Sequence, residues 1–150
     1  MFNALDIPIY YYLIAVGIGM VIGIWKKDWT SGILAAYLFF ILAGTVLIRK
    51  PGVLRYELML FWSWKVPSLR SQIYANIILF IPLGFLMGIK IGWKGILVGS
   101  GISLIIELIQ LATRRGLFEF DDIVHNTAGA VVGLGLWVSM KRVLDSINLK

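Results

Sequence analysis

Residues 95–112 read GILVGSGISLIIELIQLA, an apolar run whose single charge is Glu107. At about 1.5 Å per residue a helix of this length spans roughly 27 Å, close to the thickness of a bilayer's hydrocarbon core. Its polar members are not scattered. Ser100, Ser103, Glu107 and Gln110, followed by Arg114, recur at spacings of three and four, which gathers them within an arc of roughly 80° on one helix face. A carboxylate facing lipid at a helix centre costs about 2.5–3.5 kcal/mol on insertion scales. The stripe therefore faces protein or water, and the stretch reads as one member of a membrane bundle with a polar seam.

Four further apolar stretches match it: Ile7 to Trp25, Trp29 to Ile48, Ile73 to Ile89 and Ile123 to Met140. Of 150 residues 59% are hydrophobic and 15% charged, against roughly 25% charged in an ordinary soluble domain. A chain this short cannot bury so much apolar area from water. The fold class expected is all-α, a polytopic membrane bundle of about five transmembrane helices in a single domain, residues 1–150. Short connectors such as Lys26-Lys27-Asp28 and Lys90 to Lys94 leave neighbouring helices to run antiparallel. Met1 to Asp6 contains no Lys or Arg, so it lacks the basic region of a cleaved signal peptide and the first helix is expected to be retained.

The net charge of +6 does not indicate a nucleic-acid partner, because the bases flank apolar blocks instead of forming one run; that placement suits anionic lipid headgroups. The chain has no cysteine, which excludes disulfides and thiolate metal sites. Trp25, Trp29, Trp93 and Trp137 fall at or within a turn of expected helix ends, as an aromatic belt requires. Glycines four apart, Gly19/Gly23, Gly84/Gly88, Gly95/Gly99 and Gly129/Gly133, admit close helix packing in lipid. Lys26, Lys27, Lys90, Lys94, Lys141, Arg142 and Lys150 lie on one side, mostly tight against helix ends. Arg49, Lys50, Arg55, Lys65, Arg70, Arg114 and Arg115 lie on the other, several of them in a longer loop. The positive-inside rule is best obeyed in short segments, so the amino terminus is expected outside and the carboxyl terminus in the cytoplasm.

The loop 49–72 carries Leu54, Tyr56, Leu58, Phe61, Trp62 and Trp64 and is expected to lie in the membrane interface, as a helix that stops near Lys65 because Pro67 disfavours a helical Val66. With alternating crossings, the start of the third helix, the end of the fourth and the start of the fifth share one membrane surface. Asn76, Glu107, Gln110, Arg114, Arg115, Glu119, Asp121, Asp122 and Asn126 can meet there as a ligand-binding cluster. Each also has a structural reading. Asp121 or Asp122 caps the fifth helix, Asn76 and Asn126 bond between helices, and Glu107 pairs with Arg114 or Arg115. His125 has no second histidine to complete a zinc pattern, and Glu119, Asp121, Asp122 and His125 show no recognisable metal-ligand spacing. No metal and no cofactor is assigned.

Asn76-Ile-Ile-Leu-Phe-Ile-Pro-Leu-Gly84-Phe85 resembles the VanZ-like signature NIxLFxPLGF. Glu107-Leu-Ile-Gln110, then Arg115-Gly116, Asp121-Asp122 and Asn126-Thr127-Ala-Gly129, resemble the same family's E-x-x-Q, R-G, DD and N-T-x-G elements in order. Where many relatives carry N-L-x-P-F before the third helix, this chain has YELMLFWS over residues 56–63. The first helix looks like an addition to a four-helix core. The resemblance implies low-level resistance to teicoplanin and lipoglycopeptides; it implies no reaction. Pro82 and Gly84 have packing roles first.

Three function classes fit these residues. The leading one is a binding protein whose partners are membrane lipids and a cell-wall lipid or lipoglycopeptide, engaged at the outer-face cluster. The alternative is an interfacial enzyme acting on a lipid-linked phosphate or glycosyl group, with Glu107 or Asp122 as base and Arg115 stabilising developing charge. A transporter comes third, because the chain shows no inverted repeat. There is no GxSxG or HExxH.

Overall fold

The computed structural model describes residues 7–148. Helix α1 spans Ile9–Lys26 and α2 spans Trp29–Leu42, continued by a π-helical turn over Ala43–Leu47. After the loop come α3, Arg70–Ile91, α4, Lys94–Thr113, and α5, Phe120–Asn148. All five are long and apolar enough to cross a membrane, and large apolar side chains such as Leu13, Leu97, Ile105 and Leu136 are exposed on their outer faces. This is the architecture of a multi-pass membrane protein. The amino-terminal segment read for signal-peptide features and the base Lys150 lie outside the described residues.

Two expectations are corrected. The expected interfacial α-helix does not form: residues 49–69 contain no α-helix, and α3 begins at Arg70, inside the stretch read as loop. The loop's Tyr56–Glu57 strand, β1, pairs in parallel with β2, Phe118–Glu119, and only single 3-10 turns follow at Ser63–Lys65 and Pro67–Leu69. The reason is that the loop's backbone donors at Phe61 and Ser63 are taken by a side chain on α5, and a helical turn cannot use them at the same time. Helix α5 also runs past Met140 to Asn148. Its 29 residues reach roughly 43 Å, more than the hydrocarbon core, so the turns carrying Lys141 and Arg142 emerge from it.

The turn between α1 and α2 is closed by chemistry readable in its residues. Lys27 takes a left-handed conformation with φ 50° and ends α1. Asp28 then caps α2, accepting from the Thr30 amide at 3.0 Å and the Ser31 hydroxyl at 2.8 Å. Its ion pair with Lys90 ties that turn to the end of α3, and this hydrogen bond, with that of Ser31, holds the carboxyl down at about 2.

A core of Ile41, Val46, Leu79, Phe80, Leu83, Met87 and Ile106 joins α2, α3 and α4. The closest packing is between α3 and α5, and its contacts climb together: Ile77 meets Gly129, Ile81 meets Gly133 and Gly88 meets Trp137. The two helices therefore run parallel and begin at the same membrane surface. At Gly129 and Gly133 a side-chain carbon would strike the Ile77 and Ile81 carbonyls of α3, so only glycine permits this approach. Helix α1 packs chiefly on α2, through Gly19, Gly23 and Gly32, and stands apart from the rest.

Gly133→Leu sets a side chain against backbone that cannot swing aside, and overpacking of this kind costs about 1–3 kcal/mol. The variant is expected to lose its monodisperse elution in detergent at a clearly lower temperature than wild type. Gly135→Ala, which enters open space, is expected to leave it unchanged. Equal heat resistance of the two variants would contradict the α3–α5 contact.

Candidate functional site

The stripe on α4 is turned inward as its spacing requires: Ser103, Glu107 and Gln110 are all buried, Glu107 at 1% exposure. Each meets a partner supplied by a neighbouring element. The Asn126 side-chain amide of α5 donates to the Ser103 hydroxyl at 2.8 Å, and one turn deeper the Ser100 and Thr127 hydroxyls lie 2.9 Å apart. The Glu107 carboxylate accepts the backbone N–H of Glu119 at 3.0 Å. The expected pair between Glu107 and Arg114 or Arg115 is not formed. Arg115 donates instead to the Leu47 carbonyl at 2.9 Å, because the π-helical end of α2 leaves that carbonyl without a helical donor.

Asp121 serves the loop, not its own helix end. Its carboxylate accepts the backbone N–H of Phe61, the backbone N–H of Ser63 at 2.9 Å and the Ser63 hydroxyl at 2.5 Å. Trp64 adds a bond from its indole to Nε2 of His125 at 3.0 Å, and Phe118 donates to the Arg55 carbonyl at 3.2 Å. Together these pin the loop over the starts of α3 and α5. Its remaining large side chains, Leu54, Leu58, Leu60 and Phe61 among them, stay exposed.

Between loop and helix ends lies a cavity of about 470 Å³. Arg49, Lys50, Arg55, Arg114 and Arg115 line it, with Glu119 as its one carboxylate and Trp62 and Gln72 as neutral donors. Arg114 ends α4 in a left-handed conformation, φ 58°, and its carbonyl accepts from Gly52 at 2.7 Å, which holds the loop's entry beside the end of α4. Arg49 donates to Gln110 at 3.4 Å and is the cation that faces both Glu107 and Asp122. A side chain at Gly116 would strike the Gln110 amide and Arg49, so the arginine–glycine pair of the sequence clears space for that contact.

Glu119 is the titratable floor of this cavity. Gln72 donates to one of its oxygens at 3.0 Å. The other, Oε1, and Nε1 of Trp62 are both buried and face each other without completing a hydrogen bond. Burial, and then the Asp122 carboxylate, push Glu119 up to about 7. Asp121 and Glu107 add to the negative crowding around it.

Of the nine residues expected to cluster, Arg114, Arg115 and Glu119 line the cavity. Glu107, Gln110 and Asp122 stand behind it and reach it through Arg49. Asn76 lies beside Asp122, with its amide nitrogen short of hydrogen-bond geometry. Asn126 sits deeper against Ser103, and Asp121 is spent on the loop. Sequence reasoning left out Arg49, Trp62 and Gln72 as site members. The signal for Arg49 is a lone arginine directly after an apolar stretch, which by itself reads as a helix-end anchor.

The VanZ/LLP1 family model matches residues 29–142. Protein VanZ of Enterococcus faecium is 28% identical over 125 residues, covering 74% of each chain. No solved structure matches this chain. The family match begins at Trp29, the first residue of α2. It takes in every element that builds the cavity and leaves α1 outside, as expected for an addition to a four-helix core.

Hydrogen bonds to a charged acceptor contribute about 1.5–3 kcal/mol each. With its acceptor removed, Asp121→Ala is expected to raise the hydrogen-exchange rates of the Phe61 and Ser63 amides at least about tenfold, while α1 and α2 exchange as in wild type. Unchanged exchange in the loop would show that Asp121 is not what holds it.

Proposed function

The chain belongs to the VanZ/LLP1 family, and from that premise we propose that it binds an anionic envelope amphiphile at the basic cavity and thereby confers low-level resistance to teicoplanin and lipoglycopeptides. The carrying observation is the cavity wall, five bases against one carboxylate. An anion entering it meets guanidinium and ammonium donors in a partly desolvated setting, where charge-assisted bonds are strongest. The exposed apolar side chains of the loop, Leu58, Leu60, Phe61 and Trp64, give the acyl or isoprenyl part of such a molecule a surface beside the headgroup site. The cavity opens on the outer face in this reading, because the opposite surface carries its bases tight against helix ends at Lys26, Lys27, Lys90 and Lys94.

Binding is better supported than catalysis on a lipid-linked phosphate or glycosyl group. That chemistry would use Glu107 or Asp122 as base, and neither lines the cavity. Glu107 is committed to the Glu119 amide.

Glu119 makes anion binding pH-dependent, and the sign follows from its raised pKa. As pH falls through about 7 the carboxylate takes up a proton, the cavity loses its negative charge, and an anion binds more tightly. The groups that set this balance are Asp121, Asp122 and Glu107 on the acidic side and the five bases of the wall. A long-chain alkyl sulfate, whose own charge is constant over this range, is the suitable probe. Added outside right-side-out vesicles, it is expected to bind several-fold more tightly at about pH 6 than at about pH 8, with Glu119→Gln binding tightly at both. Binding confined to inverted vesicles would overturn the orientation, and no binding in either would overturn the reading.

A further inference from the structure

We propose that the headgroup held by the cavity is a lipid-borne phosphate of two or more charges, a phosphomonoester or diphosphate, and not a singly charged phosphodiester or carboxylate. This rests on the reading of the cavity as an amphiphile site and narrows its ligand. Three observations carry it, and each concerns the bases of the wall.

The first is that these bases are unneutralised. Among the described residues the direct ion pair is Lys90 with Asp28, at the far end of the bundle. Arg49, Lys50, Arg55, Arg114 and Arg115 have no described carboxylate in contact, and one oxygen of Glu119 is taken by Gln72. Even if Arg49 is counted against Glu107 and Asp122, which it faces from behind the wall, four bases remain against Glu119. A monoanion would leave most of that charge uncompensated in a partly desolvated cavity, whereas a di- or trianion matches it.

The second is the type of base. Four of the five are arginines, whose planar fork donates two parallel bonds to a phosphate, while lysine offers only a point charge. The third is how they are held. Arg115 is anchored by the Leu47 carbonyl and Arg49 by the Gln110 amide. Those partners are neutral, so each guanidinium is fixed in place with its other nitrogens unspent, and the charge of Arg115 meets no described carboxylate at contact. The indole N–H of Trp62, buried in the same wall without a completed bond, adds a neutral donor of the kind that several phosphate oxygens use.

The test is displacement of a bound fluorescent alkyl sulfate from the purified full chain in nanodiscs of zwitterionic lipid. The competitors are a long-chain isoprenyl diphosphate, the matching monophosphate, phosphatidylglycerol, a fatty acid and free pyrophosphate. The two isoprenyl phosphates are expected to displace the probe at concentrations about tenfold or more below those of phosphatidylglycerol or the fatty acid. Arg115→Lys and Arg49→Lys, which keep the charge and remove the fork, are expected to shrink that advantage several-fold while eluting as wild type. Equal displacement by phosphatidylglycerol or the fatty acid would overturn the inference and leave the proposed function standing. Free pyrophosphate as strong as the isoprenyl diphosphate would support the phosphate chemistry and overturn the amphiphile reading. Failure of the sulfate probe and of every lipid to bind would overturn both.

Discussion

The close approach of α3 and α5 is the constraint on which the rest of the structure depends. In lipid no hydrophobic effect draws two helices together, so association relies on van der Waals contact and on polar groups that meet across the interface. Here the contact exists because Gly129 and Gly133 present no side chain to the carbonyls of Ile77 and Ile81. Two parallel helices held this tightly have their first turns side by side. Gln72 and Asn76 at the start of α3 then stand next to Glu119, directly before α5, and Asp122 in its first turn. Helix α4 completes the group by laying its polar face against the same seam, with Gly99 close to Ala130.

From that arrangement follows a division of labour between acids and bases. The acids that distinguish the sequence are mostly engaged inside the protein. Glu107 takes a backbone amide, Asp121 takes three donors of the loop and Glu119 takes Gln72. The bases around them are anchored by carbonyls and amides or left free. A segment whose motif is acidic therefore encloses a cavity whose wall is basic. The carboxylates hold the cavity's roof and floor in place, and the arginines give it its electrostatic character.

Much of this was legible in the chain itself. The five helices follow from apolar runs of bilayer length. The inward face of α4 follows from the spacing of Ser103, Glu107 and Gln110, and the α3–α5 contact was foreshadowed by Gly84/Gly88 and Gly129/Gly133. These are local or periodic signals, and the solvent enforces them strictly. What was not legible is non-local. Arg49 joins the site only because α2 ends beside Gln110, 61 positions away. The loop is held non-helical because Asp121, far along the chain, takes the amides of Phe61 and Ser63, and no periodicity within the loop announces that. The pairing of β1 with β2, two residues on each side, is likewise too short to leave a pattern.

The central claim is that unneutralised arginines in this cavity, and not the packing of the bundle, are the functional element. The most direct measurement is teicoplanin susceptibility of a sensitive Gram-positive host that expresses wild type, Arg49→Gln, Arg115→Gln or Gly135→Ala at matched membrane levels. The account predicts that wild type and Gly135→Ala protect, and that both arginine variants lose the protection while remaining folded in the membrane. Full protection by Arg49→Gln and Arg115→Gln would contradict it, since the cavity's charge would then be dispensable.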